Sequence, residues 1–334
     1  MSTSGPRNLI TDIAGLTVGH AMDAKVRTGT SVILTETPCI AAVAVAGGGP
    51  GTRETDLLAA GTLVDAVDAI CLSGGSAFGL AAADGVAAGL HKAGRGFGLI
   101  DLPGVPKTPI VPAAILYDLA NGGDKDWGDT APYQQLGKDA FAQAMAANAD
   151  FPLGKTGAGF GAKAGALEGG LGSASLVTDD GMTIGALAAV NCFGATQMPG
   201  TDCFWAWPYE MNGEFGGARP PADYAADADD WGAAKLNPAL GQNTTIACVA
   251  TDVALTTDEA KRVAQMALSG FSRAIRPVFA PFDGDAVFVL STAKKPISDP
   301  KPLNLARIGE LAASTLARAI ARGVYEANRS SETA

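Results

Sequence analysis

Histidine is nearly absent from this chain, which has only His20 and His91 among its 334 residues. His20 follows a glycine and His91 stands beside Lys92 near the end of a helical pattern, so neither has the spacing of a metal ligand. We therefore expect both histidines to be structural. A hydrolase with this sequence would use neither a Ser-His-Asp triad nor a histidine-ligated zinc ion, and we expect it to need no metal or other cofactor.

Positive charge and paired cysteines are also scarce. The 24 basic residues are outnumbered by 34 acidic ones, and the net charge of -10 would repel nucleic acid. The five cysteines contain no CxxC pair, which predicts reduced, buried thiols in a cytoplasmic protein. No apolar run of membrane-spanning length is free of charges or turn residues, and the N-terminus lacks a secretory signal, so we expect no membrane partner.

What the chain has in quantity is small and apolar residues, with 43 glycines and 47% hydrophobic residues. This composition is typical of a globular protein that is rich in turns, and the length allows one large domain or two small ones. Short β-branched runs at 30–33, 40–46 and 69–72 predict strands, and small-residue or amphipathic patterns predict helices at 77–93, 133–148 and 304–327. Thr256 and Glu259 form a capping box before a further helix.

One junction late in the chain is unusual. An acidic stretch that bears prolines and aromatics, predicted to be an exposed, mobile loop over 205–231, leads to Asn243. A β-branched, apolar run then begins, so Thr244 stands where a loop becomes a strand. The simplest interpretation is that Thr244 and Thr245 open a strand because β-branched residues suit a pleated surface.

Several glycine-rich turns are candidate ligand sites. Gly74, Gly75 and Ser76 follow a predicted strand and precede a helical pattern, so they either bring backbone amides to a ligand or let a helix pack closely, and the pattern favours neither. Segment 154–156 lacks the upstream glycine of a phosphate loop, and segment 157–162 lacks the preceding strand of a dinucleotide loop. We therefore give no weight to nucleotide binding.

Two further groups are candidate catalytic residues. Segments 169–178 and 182–191 predict a hairpin turned at Asp179, Asp180 and Gly181, and Asn191 ends its return strand. This asparagine either caps the turn or donates a hydrogen bond to an oxyanion. Asp283 and Asp285 flank a glycine, which is typical of a turn; if the following strand starts at Asp283, both carboxylates lie on one face.

Together these pieces resemble peptidase family S58, which includes the D-aminopeptidase DmpA, β-peptidyl aminopeptidases and nylon-oligomer hydrolases. The resemblance covers nearly the whole chain. It is carried, in this order, by RTG (27–29), GGPGTRETDLL (48–58), LSGGSAFGL (72–80), GGLGSAS (169–175), NTTI (243–246) and DGD (283–285).

The resemblance implies a single α+β domain over 1–334, built as a four-layer αββα sandwich of the type shared by DmpA and ornithine acetyltransferase. It also implies self-cleavage between Asn243 and Thr244 into an α chain (1–243) and a β chain (244–334) that stay together, commonly as a homo-oligomer such as a dimer or tetramer. The new N-terminal threonine would be the nucleophile. Its α-amine, with a pKa of about 7.7 to 8.0 against about 10.4 for lysine, would be a usable base in a chain with almost no histidine.

The resemblance also implies roles for individual residues. Asn191 matches the family's oxyanion asparagine, and Asp283 and Asp285 match the pair that orients the nucleophile and its amine. Tyr117 matches a tyrosine of the substrate pocket, to which Gly74, Gly75 and Ser76 would also contribute.

The chain departs from the family pattern at two positions. Many members have a lysine where this chain has Ala166, so Lys163 either replaces it or is a plain surface lysine. Some aminopeptidase members carry a carboxylate, suited to a substrate ammonium, two residues before the pocket tyrosine, and this chain has Ile115 there. Amides and amide oligomers therefore remain candidate substrates, in addition to peptides that are cleaved at their amino terminus.

Three hypotheses follow. The first is a self-processing threonine hydrolase that cleaves short peptides, amino-acid amides or amide oligomers through an acyl-enzyme on Thr244. The second is an acyltransferase that uses the same threonine with an amine as acceptor. The third is an unprocessed binding protein that has the fold without the chemistry.

Overall fold

The computed structural model describes residues 2–100, 102–146, 149–235 and 243–329. The α-helices of these parts are α1 (Ala82–Lys92), α2 (Tyr133–Met145), α3 (Thr257–Ala274) and α4 (Lys301–Arg329). Their strands are β1 (Leu16–Asp23), β2 (Thr28–Val45), β3 (Thr52–Arg53), β4 (Ala66–Ser73), β5 (Ala113–Ile115), β6 (Lys163–Ala164), β7 (Leu167–Glu168), β8 (Gly170–Val177), β9 (Thr183–Asn191), β10 (Thr244–Val253) and β11 (Ala286–Lys295).

The long strand β2 joins two parts of one hydrogen-bonded sheet. The strand order is β3-β5-β4-β2-β11-β10-β9-β8, with β1 also paired to β2, while β6 and β7 form a separate pair. The first half of β2 pairs with β1 and β4, and residues 40–45 pair antiparallel with β11. Each half of β2 therefore belongs to a different half of the sheet.

Side chains alternate along these strands between three separate cores. On β10, Ile246 and Cys248 face a central core, whereas Ala247 and Val249 face a core built with α3 and α4. On β4, Ile70 joins the same central core while its neighbours face the core built with α1 and α2. Because successive strand residues point to opposite faces, the two halves of the sheet must pack against each other through the central core.

The molecule therefore has four layers. In order, they are the pair α1 and α2, the first half of the sheet, the second half of the sheet, and the pair α3 and α4. This arrangement confirms the predicted α+β, four-layer αββα sandwich. Most of the central core is lined by strands whose other face is covered by helices, which explains why these strands read as short, nearly continuous apolar runs.

Some sequence predictions of local structure need correction. The runs at 30–33 and 40–46 belong to one strand, β2. They look separate in the sequence because β2 changes its pairing partner between them, from β4 to β11. The helix predicted over 77–93 begins as a 3-10 helix, Ser76–Ala81, before α1. The helix predicted over 133–148 ends at Met145, and its last two predicted residues lie outside the described parts.

The acidic insert is not exposed throughout, as the sequence suggested. Ala206 and Phe215 of the insert, together with Phe204 just before it, are buried in the core built with α3 and α4, because their apolar side chains pack against α4. From 217 to 232 the chain is mostly exposed, as expected. The predicted hairpin is confirmed as β8 and β9, and Thr256 and Glu259 form the predicted capping box of α3.

The scarce residue types behave largely as the sequence indicated. All five cysteines are buried and unpaired. His20 is buried beside Ser31, with Nδ1 and the serine Oγ 2.9 Å apart, and burial lowers the pKa of His20 to about 4. In the described parts of the chain, no helix combines the length and apolar character needed to span a membrane.

Candidate active site

Thr244 is the first residue of β10, a strand in the middle of the second half of the sheet. It stands directly opposite Asn191, the last residue of β9, and is 3% exposed. The β-branched residues of 244–246 favour the strand, and β9 and β11 hold it on both sides. The loop-to-strand junction at Thr244 is thus held in place by strand pairing on both sides of β10.

The peptide bond between Asn243 and Thr244 is held by two donors. Thr244 Oγ1 donates to the Asn243 carbonyl oxygen at 2.5 Å, and the Gly284 N–H donates to the same oxygen at 2.8 Å. Both donors polarise the carbonyl, and the Gly284 N–H can also stabilise negative charge that develops on its oxygen. The threonine hydroxyl therefore lies beside an activated carbonyl of its own chain.

Only glycine fits at position 284. A Cβ there would lie 2.6 Å from Thr244 Oγ1 and 2.8 Å from the Gly49 carbonyl oxygen. The glycine run at 47–49 packs on the same loop, with the Gly49 N–H donating to the Asp283 carbonyl oxygen at 2.7 Å. Two motifs that are far apart in the sequence therefore form one backbone cradle beside Thr244.

Asp283 and Asp285 lie in the loop before β11, which begins only at Ala286. Asp285 Oδ1 accepts from the Thr245 N–H at 2.6 Å, and Asp283 Oδ2 accepts from the Ala280 N–H at 2.9 Å. Asp283 Oδ1 is buried and has no hydrogen-bond partner among the described residues. The strand therefore does not start at Asp283, so the condition for the predicted one-face arrangement is not met, and both carboxylates come from the loop.

Burial shapes the acidity of this pair. It raises the pKa of Asp283 to about 6. Burial, and then the nearby charge of Asp283, raises the pKa of Asp285 to about 7. Groups that titrate near neutral pH are suited to proton transfer, so the pair is chemically able to serve beside a hydroxyl nucleophile.

Asn191 connects the site to two neighbouring segments. Its Nδ2 donates to the Tyr117 carbonyl oxygen at 2.8 Å, and its Oδ1 accepts from the Lys163 N–H at 2.9 Å. The side chain of Lys163 points elsewhere and pairs with Glu168. The structure thus brings Asn191, Tyr117 and the backbone of Lys163 together, while the oxyanion role of Asn191 stays a prediction.

The glycine turn at 74–76 lies one segment further out. The Gly75 N–H donates to Asp118 Oδ1 at 2.8 Å, and the Ser76 N–H donates to the Leu116 carbonyl oxygen at 3.0 Å. Gly74 donates to the Gly29 carbonyl oxygen at 2.9 Å. These amides support the segment that carries Tyr117, and their contribution to a substrate pocket stays a prediction.

The structure adds one side chain that the sequence did not single out. Lys235 Nζ donates to Asn243 Oδ1 at 2.6 Å and to the Asn191 carbonyl oxygen at 3.4 Å. Burial lowers the pKa of Lys235 to about 8. Lys235 is the first lysine after the acidic insert, which contains none, and this was the one available signal in the sequence. The other missed group, the Gly284 N–H, left no signal because a backbone amide depends only on the fold.

Two named relatives are similar to this chain over most of its length. An uncharacterized aminopeptidase of Mycobacterium tuberculosis is 40% identical over 342 residues, which cover 96% of this chain and 94% of the relative. A 6-aminohexanoate-oligomer endohydrolase of a Kocuria species is 28% identical over 301 residues, covering 87% of this chain and 76% of the relative.

Solved structures show the same fold. A Burkholderia β-aminopeptidase superposes with a TM-score of 0.69 at 22% identity, covering 97% of this chain and 88% of that one. An L-aminopeptidase D-Ala-esterase/amidase from Ochrobactrum anthropi, described as a variant of the Ntn hydrolase fold, superposes with a TM-score of 0.66 at 19% identity, covering 98% and 88%.

Fold and relatives define a hydrolytic enzyme of the peptidase and amidohydrolase type, with an Ntn-hydrolase fold. The model of peptidase family S58 matches residues 8–333. The chain belongs to that family, which confirms the resemblance found in the sequence.

Proposed function

We propose that the protein cleaves its own chain between Asn243 and Thr244 and then works as an N-terminal threonine hydrolase. The observation that carries this proposal is the Asn243 carbonyl oxygen, which accepts from Thr244 Oγ1 at 2.5 Å and from the Gly284 N–H at 2.8 Å. A hydroxyl beside a doubly hydrogen-bonded carbonyl is arranged for acyl transfer onto that hydroxyl.

In the first step, Thr244 Oγ bonds to the Asn243 carbonyl carbon and the hydroxyl proton passes to the Thr244 nitrogen as the C–N bond breaks. The Gly284 N–H supports the oxygen that becomes negative in between. Water then hydrolyses the ester, which leaves a carboxylate on Asn243 and a free hydroxyl and α-amine on Thr244.

In turnover, the Thr244 α-amine accepts the hydroxyl proton while Oγ attacks the carbonyl of a substrate amide. The proton passes to the leaving amine, and water releases the acyl group. Asp283 Oδ1, a buried acceptor without a described partner, is available to orient the new ammonium, and its pKa of about 6 keeps it mostly ionised above that pH.

The proposed substrates are short peptides, amino-acid amides or amide oligomers. The Mycobacterium relative is named an aminopeptidase and the Kocuria relative an oligomer endohydrolase, which supports hydrolysis over transfer to another amine. Ile115, at the position where some aminopeptidases carry a carboxylate, is buried in β5, so the substrate ammonium must be met by other groups.

Intact-mass measurement over time tests the proposal. The purified protein should convert from one chain to two, split after Asn243, and gain amidase activity as it does so. Thr244→Ala should stay a single chain and lose activity by about 10⁴-fold or more, because the nucleophile is gone. Thr244→Ser keeps the hydroxyl and should still be cleaved.

Two results would contradict this reading. Cleavage of Thr244→Ala at the same bond would remove Thr244 as the nucleophile. A wild-type protein that remains a single chain on long incubation and hydrolyses no amide would be a binding protein with this fold. Transfer of the acyl group to an added amine in preference to water would instead identify an acyltransferase.

A further inference from the structure

Asn243 shows where the acyl part of a substrate must lie. Its carbonyl occupies the place between Thr244 Oγ1 and the Gly284 N–H. Any acyl group bonded to Thr244 Oγ has its carbonyl in that place, so Asn243 must leave before turnover. The side chain of a substrate's acyl residue then enters the space that the Asn243 side chain fills.

The Lys235 ammonium lies at the end of the space that the Asn243 side chain fills. Lys235 Nζ donates to Asn243 Oδ1 at 2.6 Å, and the asparagine is fully buried. The Asn243 N–H donates to the Phe282 carbonyl oxygen at 3.4 Å, so the amine of an acyl residue would meet an acceptor in the same place. A buried donor at this distance distinguishes a side-chain oxygen from a methyl group.

Lys235 is held by contacts that do not involve Asn243. The backbone N–H of Lys235 donates to the Phe193 carbonyl oxygen at 3.0 Å. The Ala166 N–H donates to the Ala233 carbonyl oxygen at 2.7 Å, and the ring of Trp231 meets that of Phe193 edge-on at 5.9 Å. These contacts hold the backbone at Lys235, and the Asn191 carbonyl oxygen, 3.4 Å from Nζ, is an acceptor for the ammonium that does not depend on Asn243.

There is room beside Lys235 for a ligand. A cleft of about 600 Å³ is lined by Lys235 together with the rings of Phe193, Trp231 and Phe282. The carboxylates of Asp229 and Asp230 also line this cleft. Largely apolar walls with a few polar groups are typical of a small-molecule site. With a pKa of about 8, Lys235 is mostly charged at pH 7 and remains a donor.

We propose that Lys235 determines acyl-side specificity, and that the enzyme prefers amides of L-amino acids whose short side chain ends in a carbonyl or carboxylate oxygen. Asparaginyl and aspartyl amides are the substrate class. This inference rests on the proposed function, since it requires Thr244 to form the acyl-enzyme.

Asparagine and leucine give the test, because their side chains have nearly the same shape and differ in hydrogen bonding. The processed enzyme is assayed with the p-nitroanilides of L-asparagine, L-aspartate, L-leucine and L-alanine. We expect kcat/KM for the asparaginyl and aspartyl compounds to exceed that for the leucyl compound by about tenfold or more.

Lys235→Met should lower the asparaginyl-to-leucyl ratio of kcat/KM to near one, mainly by lowering the rate on asparaginyl amide. Lys235→Arg keeps a donor and should retain part of the preference. Lys107→Met, which removes a lysine from an exposed loop, is the matched control and should keep the wild-type ratio. Rates are divided by the processed fraction measured by intact mass.

The rate of self-cleavage gives a second test, which is made on the precursor and does not require the processed form of a Lys235 variant. Asn243→Leu should slow cleavage of the precursor by about tenfold, because the contact with Lys235 is lost. Combined with Lys235→Met it should slow cleavage no further than the slower single variant, since both remove one interaction. Additive slowing would overturn the proposal.

The outcomes separate the two proposals. A wild-type enzyme that cleaves itself and hydrolyses alanyl amide but treats asparaginyl and leucyl amides alike overturns the Lys235 assignment alone. A ratio that survives in Lys235→Met does the same. A protein that neither cleaves itself nor hydrolyses any of the four amides overturns both.

Discussion

At the level of single residues, the surroundings of the Asn243–Thr244 bond are built from backbone atoms as much as from side chains. The Gly284 N–H faces the Asn243 carbonyl oxygen because position 284 carries no side chain, and Asp283 and Asp285 are buried on either side of it. The threonine hydroxyl, the amide donor and the carboxylates thus come from one strand start and one loop.

Gly284→Ala tests the cradle. The new Cβ would lie 2.6 Å from Thr244 Oγ1, so the loop or the hydroxyl must move, and we expect self-cleavage to slow by at least about tenfold. Gly98→Ala is the control, because its Cβ would meet nothing closer than 3.6 Å. Time courses of intact mass give both rates, and equal rates would show that the approach of Gly284 to the hydroxyl is unimportant.

Asp285 makes the free energy of unfolding depend on pH. Its pKa is about 7 in the folded protein against an ordinary value of 3.8, so the unfolded chain ionises first as pH rises. The group therefore favours the folded state at low pH, and this stability is lost between about pH 4 and pH 7. In a Thr244→Ala background, we compare the free energy of unfolding of Asp285→Asn with that of its parent. The difference should shift in favour of the variant by about 2 kcal/mol between pH 5 and pH 7.5.

Urea unfolding at the two pH values measures this difference. The Asn side chain keeps an oxygen for the Thr245 N–H, so the comparison is between pH values rather than between absolute stabilities. A difference that does not change with pH would mean that Asp285 is ionised throughout this range.

At the scale of elements, α4 is fastened by a buried ion pair that the sequence did not indicate. Arg318 is 1% exposed, donates from Nε to Glu214 Oε1 at 2.5 Å and from Nη1 to the Ser175 carbonyl oxygen at 2.9 Å. Nη2 also donates to Asn8 Oδ1 at 2.8 Å. The arginine therefore ties α4 to β8, to the insert and to the N-terminal segment.

Two arginines of α4 make a matched pair of variants. Arg318→Met leaves Glu214 buried without this partner and should cost about 3–5 kcal/mol of the free energy of unfolding. Arg307→Met removes a more exposed pair with Asp180 and should cost at most about 1 kcal/mol. Urea unfolding in the Thr244→Ala background checks both, and equal costs would contradict the importance of burial.

At the scale of the whole molecule, the proposed cut divides the sheet without opening it. β10 and β11 would belong to the new chain, yet β10 pairs along its length with β9, and β11 pairs with β2. Arg318 on α4 adds a buried contact with the other chain. The two products would share their cores, so cleavage would break one bond and leave the packing of the layers intact.

We therefore expect the cleaved protein to remain one particle. Native mass spectrometry should find both chains together, whereas denaturing electrophoresis should separate them. The same native spectra report the number of αβ units. Separation of the chains under native conditions would show that the strand ladders alone cannot hold the halves together.

Local patterns and continuous motifs were enough to predict short apolar strands, the hairpin, the capping box of α3, the family and the position of Thr244 at a strand start. These features arise from local periodicity or from motifs that are continuous in the chain. Thr244, Asn191, Asp283 and Asp285 were accordingly named before the fold was known, and the structure brings them together around one peptide bond.

The remaining features depend on how the layers pack. The union of 30–33 and 40–46 into β2, the burial of Phe204 and Phe215, the Arg318 ion pair, the Gly284 donor and the Lys235 contact all join segments that are distant in the chain or lie within a loop. No local pattern encodes them, because a backbone amide or a lone lysine acquires its partner only when the layers pack. The junction at Thr244 came from the sequence, and its surroundings came from the fold.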